Sequence, residues 1–157
     1  MEADLSKYFL HQALLEAQSG ASTGAGGPFG CVIVRDGQIV GRGHNEVLLS
    51  NDPTAHAEVV AIRDACKALG QYHLGGCTVY ATCEPCPMCL GAIYWAQPAR
   101  LVFACTREDA AAIGFNDALI YQELTLSLEN RLLPSEHLPV PEIEAFMKHW
   151  QEPSPTR

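Results

Sequence analysis

Two short segments carry residue types that do chemistry together: His56-Ala57-Glu58 and Pro85-Cys86-Pro87-Met88-Cys89. A catalytic zinc takes three protein ligands and keeps a fourth tetrahedral position for water. Cys86 and Cys89 are three residues apart at a predicted helix start, so both sulfurs can face one ion. The free N–H groups and positive dipole end of that helix favour thiolates. His56 supplies the third ligand from the start of another predicted helix, so the three side chains can hold one Zn2+ per subunit and leave its fourth corner to water. Glu58, two residues on, can lie beside that corner without being a ligand. Zinc lowers the pKa of its water from 15.7 towards about 7. A neighbouring carboxylate can take that proton and return one to a leaving group, a contribution of about 100- to 10,000-fold.

Other readings of the same residues stand beside this one. Cys83 as a fourth ligand would close the site and make it purely structural. A Cys-x-x-Cys at a helix start also resembles a redox pair. Against both, His-x-Glu followed by Pro-Cys-x-x-Cys, each opening a helix, is a specific combination that marks zinc deaminases.

These segments need a scaffold, and the chain alternates strand and helix signals. Asp4 can cap a first helix that runs to about Ser19, where Gly20 and the run Gly24 to Pro28 read as a flexible loop. Residues 29–34 and 38–41 flank Asp36-Gly37 and read as a hairpin. Asn51 to Thr54 is a turn, and a helix follows from Ala55 to Leu69, stopped by Gly70. A third strand spans Cys77 to Thr82, and a helix runs from Cys86 to about Ala96, ended by Pro98. Arg100 to Ala104 is a fourth strand, and Glu108 to Ile113, Asp117 to Leu124 and Pro141 to Trp150 read as helices. A fifth strand is expected near Leu124 to Leu128 or Arg131 to Leu133, and residues 152–157 as a frayed tail. The sum is an α/β fold of three layers, α/β/α, with a mixed five-stranded sheet.

The 157 residues fit a single domain, expected to be ordered over about 4–150. Ten basic against 18 acidic side chains give a net charge of −8, which disfavours a nucleic-acid partner, because gripping phosphates takes Lys and Arg. The start Met1-Glu2-Ala3-Asp4 has no signal-peptide character, and no apolar run is long enough to span a membrane. Seven cysteines, an odd number, favour reduced thiols and a metal over disulfides. The expected location is the cytoplasm. Glu84, Cys31, Cys66, Cys77 and Cys105 read as structural.

The chain resembles the cytidine deaminase-like superfamily, and within it the short, zinc-binding bacterial guanine deaminases. The likeness is carried by Gly26 to Gly30, Ser50 to Glu58, Cys83 to Ala96, Asp109 to Ala111 and Ile113 to Asp117. The blocks up to Ala96 mark the superfamily, which includes tRNA adenosine deaminases. Gly114-Phe115-Asn116-Asp117 and the longer C-terminal segment pull towards guanine deaminase. The resemblance implies a zinc hydroxide attacking C2 of guanine, giving xanthine and ammonia, with Glu58 as proton shuttle. It implies that Asn45 hydrogen-bonds the base, that Asp117 accepts from its N–H edge, that Phe29 or Trp95 lines the ring and that Ala57 belongs to the substrate site. An amide and a carboxylate suit a base with both donors and acceptors.

Plainer roles remain open at this level. Asn45 can be a turn residue, Asp117 a helix N-cap, and Phe29 and Trp95 core residues. The resemblance further implies a homodimer that exchanges C-terminal segments and closes the partner's pocket with a terminal aromatic. Here the chain ends Pro153-Ser154-Pro155-Thr156-Arg157, so Trp150 is the nearest aromatic. Alternatives to guanine are another aminated purine, a nucleoside, a pyrimidine or an amino-triazine, then a tRNA adenosine. From a different class comes a zinc-stabilised scaffold without catalysis, for which an intact Glu58 has no use.

Overall fold

The computed structural model describes residues 2–150. It divides into two compact units, Met1–Tyr121 and Gln122–Arg157.

The first unit is built on a sheet of four strands in the order β2-β1-β3-β4. Strand β1 (Gly30–Arg35) and β2 (Gln38–His44) form the antiparallel hairpin foreseen from Asp36-Gly37. Both turn residues have positive φ, 50° and 76°, the backbone that a two-residue hairpin of matching twist requires. β1 also pairs antiparallel with β3 (Thr78–Cys83), and β3 pairs parallel with β4 (Arg100–Cys105), so the sheet is mixed.

Alternating residues of β1 feed two cores on opposite faces of the sheet. Val32 and Val34 meet Phe9 and Ala13 of α1 (Glu2–Ser22), together with Tyr80. Cys31 and Ile33 meet Ala57, Ala61 and Ala65 of α3 (Ala57–Leu69), which follows the short α2 (Val47–Ser50), and Ile93 and Ala96 of α4 (Pro87–Ala96). That is the three-layer α/β/α arrangement. The small residues on α3 let it lie close on β2. A Cβ at Gly41 would sit 2.6 Å from the Ala61 carbonyl oxygen, and one at Gly43 would meet the Ala57 carbonyl oxygen. Ile33 and Leu74 are wholly buried, and truncating such a side chain to alanine costs about 2–5 kcal/mol.

The expected fifth strand is not formed among the described residues. α6 (Ala118–Leu124) gives way to a 3-10 turn at Leu128–Asn130. Polar side chains there bond to one another, and one of them takes up a backbone N–H. Ser127 Oγ donates to Glu129, Asn130 Nδ2 donates to Ser127 Oγ, and Glu123 Oε2 accepts from the Leu132 N–H at 2.8 Å. The first helix also runs beyond Ser19, through Gly20 to Ser22. Gly20 serves packing there, since a Cβ would stand 2.5 Å from the His44 ring. α7 (Pro141–His149) forms as expected. The 152–157 tail lies outside the described residues. No helix among the described residues is long and apolar enough to cross a membrane.

Candidate active site

The first turns of α3 and α4 converge. His56 is the N-cap of α3 and Cys86 the N-cap of α4; both have extended backbone, and neither side chain caps its helix. They turn to each other instead. His56 Nδ1 lies 3.6 Å from Cys86 Sγ and 3.5 Å from Cys89 Sγ. One donor atom from each of the three residues lies within 4.8 Å of the others. Zinc binds a histidine nitrogen at about 2.0–2.1 Å and a thiolate at about 2.3 Å, so tetrahedral angles put N and S about 3.6 Å apart. Both nitrogen–sulfur distances match that value. Pro87 at the first helical position fixes φ where no N–H partner is needed, and so sets Cys86 and Cys89 on one side of the turn.

The two thiols of the triangle hold one proton between them, which zinc would displace on binding. A hydrogen bond from Cys89 and a second from His56 hold the Cys86 thiol down at about 4, so Cys86 is a thiolate. The same Cys86–Cys89 bond, with burial, keeps the proton on Cys89 and pushes it well above the usual thiol range. The bond to Cys86 raises His56. Cys83 is not part of the triangle. Its thiol donates to the Thr106 carbonyl at 3.3 Å, burial pushes it up to about 11, and it is not one of the three residues whose donor atoms converge.

Glu58 is 8% exposed at the wall of a cavity of about 600 Å3 that also holds His56 and Cys86. Burial lifts its carboxyl above the ordinary range, as suits a group that must gain and lose a proton. Asn45 and Phe29 line the same cavity, as does Asp117. Asn45 is 6% exposed; its main-chain N–H donates to the Phe29 carbonyl at 3.1 Å and its Oδ1 accepts from Val47 N–H at 3.2 Å. It is therefore a turn residue and a cavity residue at once. Asp117 starts α6 through its carbonyl, which accepts from Ile120 at 3.0 Å, while its partly desolvated carboxyl is raised.

Two sequence-picked residues fall elsewhere. The Ala57 side chain is 1% exposed in the core under the sheet, so only its main chain is left to face a substrate. Trp95 is 67% exposed on α4 and does not line the cavity.

The structure adds to the site residues that the sequence did not assign to it, among them Glu84, which read as structural. Phe115, Arg107 and Glu84 line the cavity, with Thr82 and Asn116. Glu84 Oε2 accepts the Arg107 N–H at 3.1 Å and so tethers α5 (Arg107–Ala112) to the end of β3. The Gly26-Gly27 stretch, expected as flexible, is close-packed lining. A Cβ at Gly26 would press on the Asn45 side chain, and one at Gly27 would stand 2.9 Å from Phe115 Cζ. The available signal was two consecutive glycines just before a strand.

An open-cornered His/Cys/Cys triangle, a buried carboxylate beside it and a mixed α/β/α sheet define a zinc-dependent hydrolase of the nucleobase-deaminase class. Residues 3–105 match the cytidine and deoxycytidylate deaminase zinc-binding region, and the chain belongs to that family. Guanine deaminase of Bacillus subtilis (strain 168) is 54% identical over 136 residues, 83% of this chain and 87% of that one. The X-ray structure of guanine deaminase from Bacillus subtilis superposes with a TM-score of 0.90 at 48% identity and covers 96% of both chains. The tRNA-specific adenosine deaminase of Aquifex aeolicus (strain VF5) is 42% identical over 98 residues, 62% of this chain and 64% of that one.

Proposed function

We propose that this protein hydrolyses guanine to xanthine and ammonia. The carrying observation is the triangle of His56, Cys86 and Cys89 beside Glu58 at the cavity wall, in a chain 54% identical to a guanine deaminase. Zinc held by the three side chains supplies a Lewis acid that makes water a nucleophile near neutral pH. Glu58 takes the proton of the attacking water and delivers one to the exocyclic amine as the C–N bond breaks. Its raised pKa brings it closer to the groups between which it moves protons.

The other contacts orient the base. Asn45 has Oδ1 committed to Val47, so its Nδ2 is the donor turned to a base acceptor. Asp117 accepts from the N–H edge, Phe29 lies along the ring, and Ala57 contributes through its main-chain N–H at the first turn of α3, where helix donors have no partner within the helix. Trp95 keeps a place in this proposal only at the rim, given its exposure.

The chain works as one deaminase domain, in the cytoplasm. It works as a homodimer that exchanges C-terminal segments, with the partner's Trp150 over the cavity mouth. Residues 122–150 contain no buried residue. In that segment Ile143, Phe146, Met147 and Trp150 form one helical stripe, each at least 60% exposed. Such a stripe needs cover. Light scattering that gives a monomer at working concentration removes the dimer.

Ammonia release from guanine, guanosine, adenine, cytosine and a tRNA tests the substrate. Release from guanine alone is expected. Release from the tRNA and not from guanine overturns the reading, and no release from any of them points to a scaffold.

A further inference from the structure

Phe115 enters the cavity by a local device. α5 starts with a capping box in which Thr106 Oγ1 accepts from Asp109 N–H while the Asp109 carboxylate accepts from Thr106 N–H. The helix ends in a Schellman motif. Gly114, at φ 96°, donates to the Ala111 carbonyl at 3.0 Å, and Phe115 donates to the Ala110 carbonyl at 3.0 Å. This pair of bonds fixes the direction in which Phe115 leaves the helix.

The Phe115 ring meets the Phe29 ring at 90°, with centroids 4.8 Å apart. Gly27 makes the meeting possible, because a Cβ there would stand 2.9 Å from Phe115 Cζ and 3.2 Å from Phe29 Cδ2. Both rings line the cavity that holds His56 and Glu58, and Phe115 is still 44% exposed. Two rings at a right angle make a corner for a flat molecule. A planar heterocycle stacked on one ring turns its edge to the other, and both contacts are favourable for aromatic pairs. A bicyclic base is long enough to use both walls, whereas a single six-membered ring satisfies one.

We propose that Phe115 contacts the substrate and selects purine over pyrimidine, as the second wall of an aromatic corner shared with Phe29. This rests on the guanine reading for its reaction, though the corner itself does not depend on which amine is removed.

Two variants test it. Phe115→Leu keeps an apolar side chain and removes the flat face. Gly27→Ala keeps both rings and pushes them apart. Base–aromatic stacking energies correspond to a KM for guanine about 5- to 150-fold higher in each, with kcat within about threefold of wild type. Calorimetric titration with xanthine and with cytosine supplies a readout without turnover: xanthine affinity falls in both variants and cytosine affinity stays within about twofold. Zinc content and circular dichroism confirm the fold, and if one variant fails to fold the other decides.

An unchanged KM and xanthine affinity overturn the proposal. So does a fall in kcat at constant KM, which would make Phe115 a support for Asp117 instead. A wild-type protein that binds xanthine but releases no ammonia from guanine sinks the proposed reaction and leaves the corner to be judged on the binding ratio.

Discussion

The two sides of the cavity are built differently. On the chemical side, His56, Glu58, Cys86 and Cys89 sit in the first turns of two helices pressed against the sheet; Glu58 and Cys89 are buried. On the recognition side, Phe29, Asn45, Phe115 and Asp117 come from connections between elements, and Phe115 is 44% exposed. The family match, residues 3–105, contains the whole chemical side and stops before Phe115 and Asp117. A guanine deaminase and a tRNA adenosine deaminase are both similar to this chain. The lesson is one of mechanical division. Proton and metal chemistry needs positions held to a fraction of an ångström by packed elements. Base choice can be rewritten in loops that touch the core at few points.

The largest expected effects strike the chemical side. Cys86→Ala removes a ligand, so zinc content measured by atomic absorption falls below one per chain, activity is lost and the thermal midpoint drops. Glu58→Gln leaves the three ligands untouched and is expected to lower kcat by about 100- to 10,000-fold with zinc retained. Loss of zinc from that variant would show that Glu58 belongs to the ligand set and would erase the distinction between the two sides.

Smaller effects are expected on the recognition side. Asn45→Ala and Asp117→Asn leave donors or acceptors of the base unpaired, which lowers kcat/KM for guanine by about 10- to 1,000-fold with zinc content unchanged. Asp117 also carries a pH signature. Burial lifts its carboxyl above the usual aspartate range, and in the proposed role the ionised form is the one that accepts from the base. kcat/KM therefore falls on the acid side at a pH above the ordinary aspartate value, and Asp117→Asn removes that limb while the limb of Glu58 stays. An acid limb identical in the two proteins contradicts the role given to Asp117.

The smallest effect is a pH dependence of stability through Cys83. Its folded pKa of about 11 lies above the ordinary value of 9.0, so the fold favours the neutral thiol. Its contribution is whole below pH 9 and is lost as pH rises through 11, because the unfolded chain gives up the proton first. The thermal midpoint of Cys83→Ala should fall less steeply over that range than wild type; parallel curves would show that burial does not hold this thiol neutral.

How much was legible follows the same division. The helix stop at Gly70, the Asp36-Gly37 turn and the convergence of His56 with Cys86 and Cys89 could be read early, because each is set by local backbone preference or by residue types that serve one chemistry. The expected fifth strand does not form among the described residues: Leu124 to Leu133 is apolar enough to suggest one, but Glu123 captures the Leu132 N–H and Asn130 bonds to Ser127. Gly26-Gly27 looked flexible because the reason for the glycines, the Asn45 and Phe115 side chains against the backbone, comes from residues far away in the chain.

The sequence by itself determined the reaction chemistry: three soft or imidazole ligands and a carboxylate two residues from one of them leave few other uses, and helix starts place them. Only the tertiary structure decided which side chains line the cavity. It put Phe115 beside Phe29, sent Ala57 into the core and left Trp95 off the cavity wall. The physical reason is range. Ligand spacing is fixed within a single helical turn, whereas a cavity is the space left over when distant segments have packed.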